Sequence, residues 1–266
     1  MTGPGLRIRR SWRPLTWAML VLVHLAGAAM AVAGHWTPAL ALVAASHLAL
    51  LWGTLRPASP LLGAVATGLD TQAREVWLTI DDGPSPDTAA LLDVLDRHQA
   101  KATWFVVGER AGRRPDAVAA LYARGHQLGN HSQSHPAPWF WALPPSAIAG
   151  EIGQAQLTLS ALGPAPRLFR AVVGMANPFV APVLARHGLV RVGWSARGFD
   201  ATTADPEVVV RRILRDLRPG AIILLHEGAA HGRSVEIITR VLDALSERGY
   251  RCVLPTLSAT PPPASC

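Results

Sequence analysis

From Glu75 onward the chain alternates short apolar runs with amphipathic stretches, and this pattern limits its fold more than any other feature. Strand character lies at 76–80, 102–107, 127–130, 168–170, 189–194, 221–225 and 251–254. Helical periodicity fits 87–98, 115–124, 145–162, 178–187, 206–217 and 234–248. Strands that each feed a helix bury both faces and pair in parallel. Ser85-Pro86-Asp87 and Asp205-Pro206-Glu207 read as helix starts, with a polar cap, an early Pro and negative charge in the first turn. Gly125, Gly163, Gly188 and Gly249 fall where helices should stop. The expectation for 75–257 is an α/β domain, a distorted, incomplete (β/α) barrel of about seven parallel strands.

Ahead of it, Pro14 to Gly34 carries no formal charge, and neither does Pro38 to Leu55. At about 1.5 Å per residue the first run crosses a bilayer and the second is borderline. His35-Trp36-Thr37-Pro38 makes a turn between them, with Trp36 suited to a lipid interface. We read 1–56 as a transmembrane helical hairpin with spans at 14–34 and 38–55, and 57–74, with Pro57, Pro60, Gly63 and Gly68, as a linker. The Pro-rich end, 258–266, reads as a disordered tail. Arg7, Arg9, Arg10, Arg13 and Arg56 flank the hairpin and the turn has no Lys or Arg, which predicts both ends in the cytoplasm of an inner-membrane protein. The alternative makes the first run the only span, or a signal peptide cleaved near 29–33, and puts the domain on the periplasmic or extracellular face.

Those five arginines precede Asp70, the first acidic residue, and without them the formal charge falls from +7 to +2. Basicity confined to the membrane flank argues against a nucleic-acid partner. Two cysteines, Cys252 and Cys266, give neither a disulfide framework nor a thiolate metal cluster.

The apolar run at 76–80 ends in Asp81-Asp82-Gly83-Pro84. Taken alone this is also an ordinary turn. Two carboxylates at a core edge, however, need a metal, a proton or a partner to balance them. Downstream comes His131-Ser132-Gln133-Ser134-His135, and two imidazoles plus a carboxylate make a three-ligand site for a divalent metal with a position left for water. Asp81, Asp82, His131, Arg170, Trp194 and His226 all fall at the ends of expected strands, where parallel α/β folds gather their chemistry. His126 and His231 are not read as ligands.

These segments resemble the polysaccharide deacetylase family, the NodB-homology domain or carbohydrate esterase family 4, over roughly 74–256. Thr79-Ile80-Asp81-Asp82-Gly83-Pro84 matches its first motif with Ile for Phe, and His131-Ser132-Gln133-Ser134-His135 its second. Arg170-Ala171-Val172-Val173-Gly174 matches the third with Val172 for Pro, Trp194 with Asp200 the fourth, and Leu224-Leu225-His226 the fifth. The resemblance implies a metal-dependent carbohydrate N-deacetylase. Asp82, His131 and His135 would bind the metal, usually Zn2+; Asp81 would be the base and His226 the acid. Arg170 would pair with Asp81, Asp200 would support His226, and Trp194 and Leu224 would line the acetyl pocket. Val172 is expected to loosen the loop carrying Arg170, and Glu227, where relatives often have Asp, changes reach.

Pro138-Trp139-Phe140-Trp141 follows the metal loop, so Trp139 and Trp141 are candidates for stacking on a sugar or dipping into the bilayer interface. The substrate expected is an N-acylated amino sugar, lipid-linked or close to the membrane. Alternatives are a deformylase or ester hydrolase on such a sugar, and a non-catalytic glycan-binding module.

Overall fold

The computed structural model describes residues 3–137 and 139–257, so the expected tail at 258–266 lies outside the described residues. In chain order the elements are β1 (Leu6–Arg9), α1 (Arg13–Val32), α2 (Trp36–Leu55), β2 (Val65–Leu69), β3 (Glu75–Gly83), α3 (Thr88–Arg97), β4 (Ala102–Val106), α4 (Gly108–Arg113), α5 (Pro115–Ala123) and β5 (Gln127–Asn130). There follow α6 (Pro145–Leu162), β6 (Leu168–Phe169), α7 (Val180–Arg186), β7 (Val190–Arg191), β8 (Ala196–Arg197), α8 (Pro206–Arg215), β9 (Ile222–His226), α9 (Ser234–Glu247) and β10 (Arg251–Cys252).

Strands β3 to β10 form one parallel sheet in the order β7-β6-β5-β4-β3-β9-β8, with β10 against the start of β3. It curls into the expected incomplete barrel. Period-two alternation sorts its side chains. Val76, Leu78 and Ile80, with Trp104, Ile223 and Leu225, face outward and pack on Leu91, Leu95, Ile213 and Val241 of the surrounding helices. The intervening Trp77, Phe105 and Ile222 face inward with Leu168 and Val192. Asp205 caps α8 as its motif predicts, its Oδ1 accepting from Glu207 N at 2.9 Å. At the start of α3 Ser85 caps in the same way, its Oγ accepting from Asp87 N at 3.1 Å, while the Asp87 carboxylate accepts from Gly228 N.

The linker expectation needs correction. Within 57–74, β2 is built into the domain, with Val65, Ala66 and Leu69 fully buried. Ala66 and Leu69 cover the inward side chains and form a floor across the barrel. One end of β2 bridges Val192, and at the other Leu69 N donates to Gly220 O at 2.8 Å. Gly220 has a φ of +75°, and a Cβ there would lie 2.4 Å from Leu69 O, so the junction admits only glycine. The short β8 and the single-turn α4 were not expected either; β8 has two residues, too few for a periodic signal.

Helices α1 and α2 are long and apolar enough to cross a membrane, with mean hydropathies of 2.0 and 1.6, and few of their residues are buried. They lie against each other where Gly27 faces Val43. β1 precedes this hairpin and β2 follows it, yet the two pair antiparallel from Leu6↔Leu69 to Arg9↔Val65. Trp12 N also donates to Pro60 O at 2.9 Å. Both ends of the hairpin are therefore fastened to one body.

Candidate active site

β3 brings Asp81 and Asp82 to the open end of the barrel, where Asp81 is in register with Phe105 on one side and His226 on the other. A bulge separates Asp81 from Gly83, and Asp82 takes a φ of +71°. That turn sends the two adjacent carboxylates to different partners. Asp81 is buried, and its Oδ1 accepts from Arg170 at 2.6 Å. Arg170, fully buried, also donates to Thr79 Oγ1 at 2.7 Å and Gly193 O at 3.0 Å and lies over the Phe105 ring at 4.2 Å. Burial pushes its guanidinium pKa down, and Asp81 works against that. Val172 does not leave this loop loose: it is fully buried in a cluster with Phe140, Phe169 and Val180.

His131 follows β5, and its Nδ1 donates to Arg170 O at 2.8 Å. A carbonyl only accepts, so Nδ1 carries a proton, and in the neutral ring that metal binding requires Nε2 keeps the lone pair. Nε2 lies 3.6 Å from Asp82 Oδ1, and His135 Nε2 lies 2.9 Å from the same oxygen. Oδ1 is itself buried and receives no hydrogen bond. One ligand atom each from Asp82, His131 and His135 lies within 4.8 Å of the others. A buried carboxylate oxygen without a proton donor, faced by two imidazole nitrogens, fits a divalent cation.

Three groups supporting this loop gave no sequence signal. Glu151 of α6 accepts from Gln133 N at 3.0 Å and from Ser134 N at 2.9 Å. Gly108 N donates to Ser132 O at 3.0 Å. The Arg110 guanidinium donates to the Asp82 carbonyl. They hold Ser132 and His135 at positive φ, a strained state that needs such supports.

His226, at the end of β9, faces the pair from across the mouth. Its backbone N donates to Asp200 Oδ2 at 2.6 Å, and its Nδ1 is 3.1 Å from Asp200 Oδ1. Burial disfavours the imidazolium, but Asp200 outweighs it, with Asp81 and Asp82 adding to the pull, and the pKa rises to about 9. Nδ1 is engaged, so Nε2 is the atom left for the pocket. Glu227 turns away: its Oε2 accepts from Ser85 Oγ at 2.7 Å and Thr88 Oγ1 at 2.6 Å, and its Oε1 lies where a Gly83 side chain would be, 2.0 Å from a Cβ there.

Leu224 is buried on the inner face, in register with Thr79 and Arg197. Trp194 is half-buried, its ring 5.7 Å from the Arg170 guanidinium carbon. Phe140 anchors the aromatic loop in the core, Trp141 is half-buried, and Trp139 stands 65% exposed. Arg197, on β8, is a further residue of the mouth that the motifs did not reveal.

The family model for polysaccharide deacetylases matches residues 68–192. A chitooligosaccharide deacetylase of Bradyrhizobium sp. (strain ANU 289) is 32% identical over 192 residues, which are 66% of this chain and 87% of that protein. A peptidoglycan-N-acetylglucosamine deacetylase of Bacillus cereus is 29% identical over 72% of this chain and 91% of its own. Among solved structures, the family 4 carbohydrate esterase from Streptomyces lividans, in complex with acetate, superposes with a TM-score of 0.63 at 31% identity, covering 69% of this chain and 94% of that one. With the Asp81-Asp82 strand end, the His131/His135 loop and the His226–Asp200 pair on one barrel mouth, this chain belongs to the polysaccharide deacetylase family.

Proposed function

We propose that this protein is a membrane-anchored, metal-dependent hydrolase that removes a small N-acyl group, acetyl first, from an amino sugar. The observation that carries the reading is the division of the two adjacent aspartates: Asp82 faces two imidazoles and Asp81 faces Arg170. Asp82, His131 and His135 would hold the metal, and their one-carboxylate, two-imidazole set suits zinc best. When bound, it supplies Lewis acidity toward an amide carbonyl and lowers the pKa of water toward about 7.

The chain's own residues do the rest. Asp81 accepts a proton from the attacking water, and Arg170 holds its carboxylate in place. Water oxygen bonds to the acyl carbon. The C–N bond then breaks as His226 Nε2 delivers a proton to the leaving nitrogen, giving a carboxylic acid and a free amine. With a pKa lifted to about 9, the imidazole is charged at neutral pH and ready to donate. Asp200 fixes its ring. Leu224 and Trp194 would line the side of the mouth that takes the acyl group, and Trp139 offers an exposed face for stacking on a sugar ring.

The pairing of β1 with β2 supports a two-span anchor. A single span would put Leu6–Arg9 on the opposite side of the bilayer from Val65–Leu69, and cleavage after α1 would remove a strand. With Arg7, Arg9, Arg10, Arg13 and Arg56 all at the open end of the hairpin, the domain is assigned to the cytoplasmic side, next to a membrane-proximal substrate. The test is metal content and acyl release measured together on the purified full chain. His131→Ala should lose both while the far-ultraviolet circular dichroism stays unchanged; metal-dependent turnover retained in that variant refutes the ligand assignment.

A further inference from the structure

Arg197 lies on the inner face of the barrel at its edge strand. Its neighbour Ala196 belongs to the outward, helix-facing core, and Arg197 itself is in register with Leu224 of the pocket. Its guanidinium carbon is 4.0 Å from the Phe199 ring centroid and 5.2 Å from that of Trp194. Phe199 is exposed and adopts a φ of +61°, an uncommon state for a bulky residue. The backbone is thus turned to place an aromatic face against this cation at the rim.

What Arg197 lacks is an acceptor. Its Nε is buried without a hydrogen bond, and among the described residues its guanidinium makes no ion pair. Arginines nearby spend their donors on the fold. Arg170 binds Asp81, Thr79 and Gly193, Arg191 binds the carbonyls of Ser59 and Gly63, and Arg110 binds that of Asp82. Asp200 and Asp81 act on Arg197 through space, but their oxygens accept from His226 and Arg170 and make no hydrogen bond to it. Two ring faces hold the cation in place but offer its N–H groups no lone pair in the ring plane. A planar fork of unspent donors, fixed beside a reaction centre, matches a tetrahedral or planar oxyanion.

The position of the hairpin indicates which oxyanion. Pro57 lies two residues past the end of α2, and its carbonyl lies 2.9 Å from where a Cβ on Gly193 would stand, next to Trp194. A Cβ on Gly174 would meet both Trp194, at 2.2 Å, and Pro57, at 2.6 Å. The base of the hairpin is therefore packed against the same side of the mouth that carries Trp194 and Arg197. A sugar joined to a lipid through a phosphate presents its charge a few bonds from the ring and at the membrane surface. We propose that Arg197 is a specificity-determining residue that accepts the phosphate of a lipid-linked N-acyl amino sugar, so that the preferred substrate is a glycosyl phospholipid and not a neutral glycan chain.

This inference rests on the deacylase reading, and the test separates the two. The full chain in detergent is given neutral tetra-N-acetylchitotetraose, N-acetylglucosamine 1-phosphate and a polyprenyl-phosphate-linked N-acetylglucosamine, and acetate release is measured for each. Wild type is expected to favour the lipid-linked phosphate over tetra-N-acetylchitotetraose by roughly tenfold or more in kcat/KM, as for a charge-assisted pair. In Arg197→Gln that ratio should fall toward one, and Arg197→Lys should recover part of it. An unchanged ratio in Arg197→Gln overturns the proposal. Equal preference for the soluble and the lipid-linked phosphate overturns its lipid part. Binding of N-acetylglucosamine 1-phosphate to an Asp81→Asn chain, with and without Arg197→Gln, is read by calorimetry without turnover. If no acetate appears from any substrate the deacylase reading fails, while an Arg197-dependent loss of binding still decides the phosphate site.

Discussion

Glu227→Gln should change how stability depends on pH, and the size of the change follows from the site. Glu227 is 1% exposed. Three donors reach its Oε2, from Ser85 N, Ser85 Oγ and Thr88 Oγ1, but none reaches Oε1. Burial pushes its pKa from 4.5 to about 7 against the pull of those donors. The folded chain thus keeps a proton that the unfolded chain releases above 4.5. Its contribution is fully present below that pH and is lost as pH rises to about 7. At about 1.4 kcal/mol per pH unit, the loss is about 3 kcal/mol. Gln keeps an oxygen for Ser85 and Thr88 and cannot ionise. Its second amide proton has no acceptor, which costs about 1–3 kcal/mol at every pH. The absolute stabilities of the two chains are therefore close, and the slopes differ. Thermal melting of the full chain in detergent, followed by near-ultraviolet circular dichroism from pH 4.5 to 8, reads this directly. His226 titrates in both chains and cancels in the difference. The melting-point difference, variant minus wild type, should climb through that range and level off above about 7. A flat difference would refute the assignment of a buried, proton-holding carboxyl.

Other outcomes follow from the same geometry. Asp200→Asn removes the charge that lifts His226, so the alkaline limb of kcat/KM, where activity falls as the acid loses its proton, should move to lower pH; an unmoved limb denies His226 the acid role. Arg170→Met strips Asp81 of its buried partner and should cut kcat by about 10²-fold or more, with metal content retained by elemental analysis. Leu69→Ala opens the barrel floor and should cost about 2–5 kcal/mol in a melt, whereas a true linker residue would cost less than about 0.5 kcal/mol. Trp139→Ala should raise KM with kcat little changed, since an exposed ring adds binding and not chemistry.

The parts legible in the sequence were those repeated in a local pattern. The unbroken apolar run from Val76 to Ile80 marked the first barrel strand, and Asp81-Asp82 and His131/His135 marked the mouth through local spacing. What escaped depends on distant partners. β2 has only five residues amid Pro and Gly, and its burial is decided by Trp77, Phe105 and Ile222, which no window around 65–69 contains. Its pairing with β1 spans the whole hairpin. Glu151, Arg110 and Glu227 look like solvated charges along the chain; only the fold puts loop amides, the Asp82 carbonyl and Ser85 before them. Arg197 is legible once β8 is known, because the register with Leu224 then turns it inward.

The central claim is a three-ligand metal centre driving amide hydrolysis, and acetate release before and after metal removal tests it most directly. The purified full chain would be assayed on polyprenyl-phosphate-linked N-acetylglucosamine and on tetra-N-acetylchitotetraose, as isolated, after chelation and after return of zinc. The account predicts release of acetate with an equal amount of free amine, abolished by the chelator, restored by the metal and absent throughout in His131→Ala. Release that survives complete metal removal, or no release from either substrate by zinc-loaded protein, would contradict it.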